Sequence, residues 1–372
     1  MATRPQDQEL VACVAEERAV QSRKALTSTE DEKGRVVPAF GWHPWFSYQL
    51  YDDVGASAST YDPTSPDKDA QKRKHYSAVL TPSPDDGFAD SLPEPQPLSE
   101  FLAATRTRLE KYPLSLVGEV GLDKAFRLPE AWTQAEHSAR DTGLTPGGRE
   151  GRRLSPYHVR LPHQSSILAA QLRLAGELGR AASVHGVQAH GVLFDLLRSL
   201  WRGHERDVPS RRKQKLVATG AEDFSDSSDE EEDSEAWRGM PRHGSWNGKG
   251  LQEEGRKRVK PKPYPPRICL HSFSGSSQVM KQYLHPEIPV RFFFSFSIVV
   301  NLSTAGGENK FPELIRTCPD DRVLVESDVH YAGQDMDGFV EQMYRKICEI
   351  KGWTLQEGLD RIKRNYEEFI FG

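Results

Sequence analysis

Hydrophobic residues in this chain gather into six short runs rich in β-branched or aromatic side chains, each closed by glycine or polar residues. The runs are Arg35 to Gly41, Leu114 to Val120, Ala181 to His185, Arg267 to His271, Val290 to Phe296 and Arg322 to Glu326. Continuous apolar runs of this kind suit strands buried on both faces, as in parallel sheets. Between them the spacing changes to that of helices, over Leu98 to Tyr112, Gln164 to Arg180 and Gly191 to Trp201. Helical spacing also marks Gln8 to Val20, with Leu10, Val11, Val14 and Ala15 on one face, and Met336 to Phe371 reads as two helices. Thr354 and Glu357 have the spacing of a capping box at the start of the second. Strand and helix in alternation predict an α/β class with right-handed crossovers.

The connections are less regular. Segments at about 51–97, 130–153 and 203–266 are polar, rich in Asp, Ser, Pro or Gly, and read as insertions. With these set aside, the 372 residues predict one barrel-like domain over 1–372 rather than two or three separate ones. The last insertion carries an acidic run, Glu222 to Glu235, then a basic one, Arg256 to Lys262. Blocks of like charge bury too little apolar surface to order themselves, so this segment is expected to be disordered. Ser225, Ser227 and Ser228 lie in a context suited to an acid-directed kinase, and Arg211 to Lys215 and Arg256 to Lys260 have the composition of a nuclear import signal. The plainer alternative is a solvated insertion whose charges keep it soluble. It is also a possible docking surface for a protein partner.

A formal net charge of −5 argues against holding nucleic acid through a global positive field, though it leaves room for a local cationic site. The four cysteines, Cys13, Cys269, Cys318 and Cys348, lack CxxC spacing, so neither a disulfide framework nor a thiolate zinc site is suggested. A cytoplasmic or nuclear chain is expected. The pattern predicts no membrane span and no secretory leader.

Chemistry concentrates where the strands end. Glu119, His185, His271 and Asp328 stand at or just beyond the C-terminal ends of four of the six runs, and His43 follows the first in Gly41-Trp42-His43-Pro44. In a β/α barrel all strand C-termini open on one face, so residues remote in sequence converge there. Two imidazoles and two carboxylates form a mixed N/O set suited to Zn²⁺, Mn²⁺ or a similar divalent ion, and a carboxylate can bridge a pair of ions. Such ions activate water and stabilise a leaving oxygen in phosphodiester displacement. His43 has a plainer reading as a turn residue fixed by Pro44. Trp42, Trp45 and Phe46 beside it are suited either to stacking a base or to packing the barrel mouth.

Gly118 to Asp123 (GEVGLD), His271 to Gly275 (HSFSG), Glu326 to Asp328 (ESD) and Gly41 to Pro44 (GWHP) resemble the successive motifs of the TatD-type metal-dependent hydrolases, in that family's order, with His185 where the family has its mid-chain histidine. The tryptophan-rich GWHPWFS and the opening MATRPQDQ are most similar to a fungal branch. The resemblance implies a TIM-like (β/α) barrel and a deoxyribonuclease that takes one or two divalent ions (Mg, Mn or Zn) and DNA or another phosphodiester. It further implies that Glu119 bridges two metals, that His185 and His271 hold one of them, and that Asp328 ligates the other and helps activate the attacking water. His43 is implied to lie near the substrate phosphate.

The family pattern opens with a strand carrying His-x-His, a motif this sequence does not contain. Met1 to Asp7 corresponds to the end of the family's second strand. The expectation is therefore a barrel without its first βα unit and a first metal position short of two imidazoles. Two other functions stay open at this stage: a non-catalytic interaction protein, and hydrolysis of an amide or small ester by the same constellation.

Overall fold

A computed structural model describes residues 1–23, 36–55, 58–138, 151–208, 261–303, 306–329 and 334–372. The serine cluster at 225–228 and both basic clusters lie outside the described residues. Met1–Glu205 and Pro261–Gly372 form one compact unit, from which Arg206–Lys260 separates.

All six apolar runs become strands of one parallel sheet: β1 (Ala39–Phe40), β2 (Leu116–Asp123), β3 (Ala182–Val187), β4 (Arg267–Leu270), β5 (Arg291–Phe296) and β6 (Val323–Val325). Their spatial order is their order in the chain. Every neighbour is parallel, with Leu116 beside Ala39, Val184 beside Val120, Leu270 beside Val184, Phe294 beside Leu270 and Val325 beside Phe296. A sheet wound in one direction in this way is the barrel type of α/β architecture, as against the doubly wound type in which strand order reverses. The helices α1 (Pro5–Arg18), α2 (Leu98–Lys111), α3 (Leu161–Glu177), α4 (His190–Trp201), α5 (Gly307–Thr317), α6 (Gln334–Lys351) and α7 (Leu355–Phe371) flank it. The capping box of α7 is present, Thr354 and Glu357 each accepting from the other's backbone.

Along a strand successive side chains face opposite sides of the sheet, and here the alternation sorts the core into two. Val117, Ala182, Val184, Ile268, Leu270, Phe292, Phe294 and Val323 pack outward with helix residues such as Leu172, Leu193, Ile315 and Ile347. The intervening Leu116, Cys269, Phe293 and Leu324 form a smaller inner cluster, closed by Phe369 and Ile370 at the end of α7. The four buried phenylalanines of β5 each contribute roughly 1.5–3 kcal/mol by burial. Further along the same inner face the residues turn polar: Ser183 and His185 on β3, His271 after β4, Ser295 on β5. The inner face is thus apolar at its base and chemical at its mouth.

The free edge of β1 is lined by the first residues of the chain. Ala2 N–H donates to Ala39 O at 2.9 Å and His43 N–H to Thr3 O at 2.9 Å, the place where the sequence leads one to expect a strand end. At the other edge, Asn365 of α7 donates from Nδ2 to Asp320 O at 2.8 Å and Val323 O at 2.9 Å, tying the helix to β6. Among the described residues no strand joins β6 to Ala2 and Thr3.

Two sequence expectations need correction. On α1 the expected face holds at Ala15, which is buried, and at Val11, which packs on the core, but Leu10 and Val14 are 58% and 49% exposed and Gln8 is buried in their place. The buried face is rotated because Gln8 donates from Nε2 to Gly41 O at 2.8 Å, and the small Ala12 and Ala15 let the helix sit close to the core. The segment 51–97, expected as loop, holds helices Lys68–Val79 and Asp86–Ser91, capped by Asp67 and Asp85. Its Tyr76, Val79 and Leu80 share a cluster of their own with Tyr48, Leu128 and Val159, and that burial offsets its polar composition.

His75 ties this segment to the Pro44–Gln49 turn that follows β1. Its ring is fully buried, with Nε2 at 2.8 Å from Tyr48 O and Nδ1 at 2.7 Å from Thr60 Oγ1. Burial pushes its pKa down to about 4 from 6.5. The group is neutral when folded and takes up a proton more readily when unfolded, so its contribution is complete above pH 6.5 and is lost as pH falls toward 4. Between pH 7 and pH 5 the free energy of unfolding should therefore fall by about 2 kcal/mol more in the native protein than in His75→Gln, as measured by urea denaturation at each pH. Equal slopes would show that His75 is not held neutral.

Candidate functional site

Three backbone devices aim side chains into the mouth of the sheet. In β2 the register with β3 slips between Val117 and Val120, a bulge at Gly118-Glu119 of the kind that redirects a side chain beside a site. At Gly121 a Cβ would lie 2.1 Å from His185 O, so only glycine lets β2 close on β3 at that histidine. His43, three residues beyond β1, caps the short turn Pro44–Gln49, where its Nδ1 accepts from Trp45 N–H at 3.2 Å.

Buried glutamines hold these loops. Gln171 of α3 accepts from Trp42 N–H at 2.7 Å and donates to Trp42 O at 3.1 Å. Gln164, two turns earlier on the same helix face, accepts from Asp123 N–H at 2.8 Å and donates to Asp123 O at 2.9 Å. With Gln8 on Gly41, the strand ends carrying His43 and Asp123 are both clamped by side-chain amides.

The resulting cluster centres on one atom. Glu119 Oε1 lies 2.8 Å from His271 Nε2, 3.1 Å from His43 Nε2 and 3.3 Å from His185 Nδ1. The ligand atoms of His43, Glu119 and His185 all fall within 4.8 Å of one another, close enough to share one ion. Sequence reasoning placed Glu119, His185, His271 and His43 at strand ends, and the structure brings these four together. Asp328 stands apart from that contact set. Its φ is 56°, and its carboxyl lies within electrostatic reach of Glu326, His271 and Glu119.

The partners of each ring decide what it can do. His185 Nε2 lies 3.1 Å from Asp123 Oδ2. An Nε2–H donated there leaves Nδ1 bare toward Glu119, the arrangement in which a carboxylate orients a metal-binding imidazole. His271 Nδ1 lies 3.1 Å from Ser183 Oγ, which can accept its proton and leave Nε2 bare. That Nε2 is buried and finds no hydrogen bond of acceptable geometry, although Glu119 is beside it. Glu119 at 2.8 Å favours a proton on this nitrogen and holds His271 above its ordinary value against burial, and a cation between them would take that proton's place. His43 differs: because Nδ1 accepts a backbone N–H, a neutral ring carries its proton on Nε2 and offers Glu119 a donor, not a metal ligand.

Without a cation the carboxylates favour protons on His185 and His271, each held above its ordinary value against burial, and a bound metal ion would have to displace them. Burial alone would raise Glu119, but the imidazoles of His43, His271 and His185 hold its carboxyl well below the usual range. Burial keeps His43 below its ordinary value against the pull of Glu119. For His185 burial is outweighed by Asp123 and Glu119, which push it up to about 9. Asp328 is pushed up to about 6 by removal from water and by the carboxylates of Glu326 and Glu119.

Asp123 is a member of the site that sequence reasoning passed over, although it sits within the quoted GEVGLD stretch. It accepts from Trp45 Nε1–H at 2.6 Å as well as facing His185. Its signal was its place four residues beyond Glu119 on a strand that ends in the same mouth. Gln164 and Gln171 were legible only as polar residues seven apart on an otherwise apolar helix face.

The family model for TatD-related DNases matches residues 3–371. Over 370 residues the chain is 36% identical to the Cut9-interacting protein scn1 of Schizosaccharomyces pombe, covering 100% of this chain and 90% of that one. It is 24% identical over 365 residues to the uncharacterized deoxyribonuclease YMR262W of Saccharomyces cerevisiae, covering 93% of this chain and 86% of the other. Among solved structures, YjjV, a TatD homolog from Escherichia coli, is 13% identical with a TM-score of 0.45, covering 99% of this chain and 84% of that one. No described helix is long and apolar enough to cross a membrane. With one relative at 36% identity along the chain and the family model matched almost from end to end, the chain belongs to the TatD-related DNase family of metal-dependent hydrolases.

Proposed function

We propose that this chain hydrolyses phosphodiester bonds in DNA with a divalent metal ion held at Glu119, His185 and His271. The observation that carries the reading is the meeting of three imidazoles on one carboxylate oxygen at the mouth of a parallel sheet. A deoxyribonuclease-named relative supports DNA as the substrate. A bound ion of this class supplies Lewis acidity and lowers the pKa of water.

The remaining work falls to the chain's own groups. Asp123 and Ser183 take the second ring protons of His185 and His271, which fixes the tautomers and turns Nδ1 and Nε2 inward. His43, with its proton on Nε2, donates to a phosphate oxygen once Glu119 is engaged elsewhere. Asp328, whose carboxyl is pushed up to about 6, is ionised at neutral pH and would serve as the base for the attacking water.

A second role, docking of a protein partner, is supported by the 36% identical relative whose name records an interaction with Cut9. The charged insertion at 203–266, a candidate surface on sequence grounds, lies almost wholly outside the described residues.

Metal binding must expel the extra proton that His185 holds near pH 9. Zn²⁺ affinity should therefore rise roughly tenfold per pH unit between pH 6 and pH 9, with proton release visible as a buffer-dependent heat in calorimetry. Asp123→Asn should weaken binding about 10- to 100-fold. A pH-independent affinity would contradict the assignment of His185.

With Mg²⁺, Mn²⁺ or Zn²⁺ the purified chain should release nucleotides from plasmid and single-stranded DNA, and chelation should stop it. Asp328→Ala should lower kcat by roughly 10²- to 10⁴-fold. Equal rates in the native and variant proteins would sink the mechanism.

A further inference from the structure

Of the three aromatics around His43, two pack the interior. Trp42 is 2% exposed, packs edge-on against Phe101 at 5.0 Å and donates from Nε1 to Phe46 O at 2.8 Å. Phe46 is buried with it, in a cluster with Leu50, Leu98 and Ile167. Trp45 is 38% exposed, so packing alone does not account for an indole at its position. Phe126 stacks on its ring at 4.7 Å with 11° between planes, and the His43 ring meets it at 4.8 Å and 84°.

Its polar contacts distinguish it. The Trp45 backbone N–H donates to His43 Nδ1 at 3.2 Å, and its indole Nε1–H donates to Asp123 Oδ2 at 2.6 Å. That same oxygen faces His185 Nε2 at 3.1 Å. The other carboxylate oxygen, Oδ1, accepts from Ala125 N–H at 2.7 Å and from Phe126 N–H at 2.9 Å. An ionised carboxylate has about four acceptor sites, and three of these are taken by groups that can only donate. A proton on Oδ2 would compete with the indole for the oxygen they share. The set is satisfied by a carboxylate anion whose fourth site takes the N–H of His185. An indole nitrogen suits this position because, unlike a hydroxyl or an imidazole, it cannot reverse its role and accept.

The two rings face Glu119 with different nitrogens, His43 with Nε2 and His185 with Nδ1. A neutral ring with its Nδ1 occupied by a backbone N–H carries its proton on Nε2, and so does a ring whose Nε2 donates to Asp123. The same tautomer in both rings therefore turns a donor inward at His43 and a bare nitrogen inward at His185.

We infer that Trp45 is a positioning residue that sets both tautomers at once, through its backbone on His43 and through its indole and Asp123 on His185. The inference rests on the metal site of the reading above and names the residue that divides the roles of its histidines.

Zinc affinity reads the effect without turnover. Zn²⁺ is titrated by calorimetry, at one neutral pH, into the full native chain, Trp45→Phe, Asp123→Asn and the double variant. Trp45→Phe keeps a ring for Phe126 and the backbone N–H for His43, and removes only the indole donor. It should weaken binding about tenfold, as loss of an outer-shell partner does. Because the indole acts through Asp123, the double variant should bind within about twofold of Asp123→Asn alone. Losses that multiply in the double variant would make Trp45 a packing residue and overturn the inference, as would native affinity in Trp45→Phe. A measurement on the native protein needs no variant. Hydrogen exchange followed by NMR should find the Trp45 indole N–H protected although its residue is 38% exposed, and exchange as fast as that of free indole would overturn the bond to Asp123. The two readings fail differently. A native chain that binds no Zn²⁺ overturns the metal site and this inference with it, whereas tight binding that Trp45→Phe leaves unchanged overturns the inference alone.

Discussion

One carboxylate oxygen sets the terms for the rest of this protein. Glu119 Oε1 draws in imidazole nitrogens from the ends of β1, β3 and β4, and a largely buried carboxylate in that position is tolerable only because those rings surround it. Removing an anion from water costs several kcal/mol even after relaxation, so any loss of the histidines would leave an expensive charge. The bulge that aims Glu119, the glycine that lets His185 approach and the glutamines that hold Trp42 and Asp123 are all local conditions for this one convergence. Backbone geometry and side-chain clamps thus serve a single electrostatic arrangement.

The sheet makes that arrangement possible without giving up its core. Period-two alternation sends one set of residues outward to the helices and the other inward, and the inner set changes character along its length. Cys269, Phe293 and Leu324 with Phe369 and Ile370 seal the base. Ser183, His185, His271 and Ser295 occupy the mouth. Because the strands are parallel, every strand end with a useful side chain opens on the same side, and no connection has to carry the chemistry by itself. The outer ring of α3, α4, α6 and α7 supplies the apolar burial that stabilises the whole.

Much of this could be read from residue order. Six apolar runs became six strands, and the Thr354–Glu357 box became a helix cap, because both signals are local and unopposed. The glutamic acid and histidines at strand ends were legible because a strand terminus is a fixed place in a parallel architecture. Asp123 was not, since its role depends on meeting His185 and Trp45 from other elements. Gln164 and Gln171 look like interruptions of an apolar helix face, and only the loops they hold explain them. The face of α1 was misread because hydropathy favours Leu10 and Val14, whereas a hydrogen bond from Gln8 and the small size of Ala12 and Ala15 decide how the helix sits. The helices within 51–97 were hidden by their polar composition, which Tyr76, Val79 and Leu80 outweigh only when Leu128 and Val159 arrive from elsewhere.

Family membership and site geometry converge on a metal-dependent hydrolase, and the division of labour proposed for the histidines is the central claim: His185 and His271 would face an ion with bare nitrogens, while His43 would keep a proton for the substrate. Anomalous diffraction from crystals soaked in Mn²⁺ or Zn²⁺ tests this most directly. The account predicts a peak at about 2.0–2.3 Å from a Glu119 oxygen, His185 Nδ1 and His271 Nε2, with His43 Nε2 outside ligand range. A peak ligated by His43 in place of His271, or none near Glu119, would contradict it.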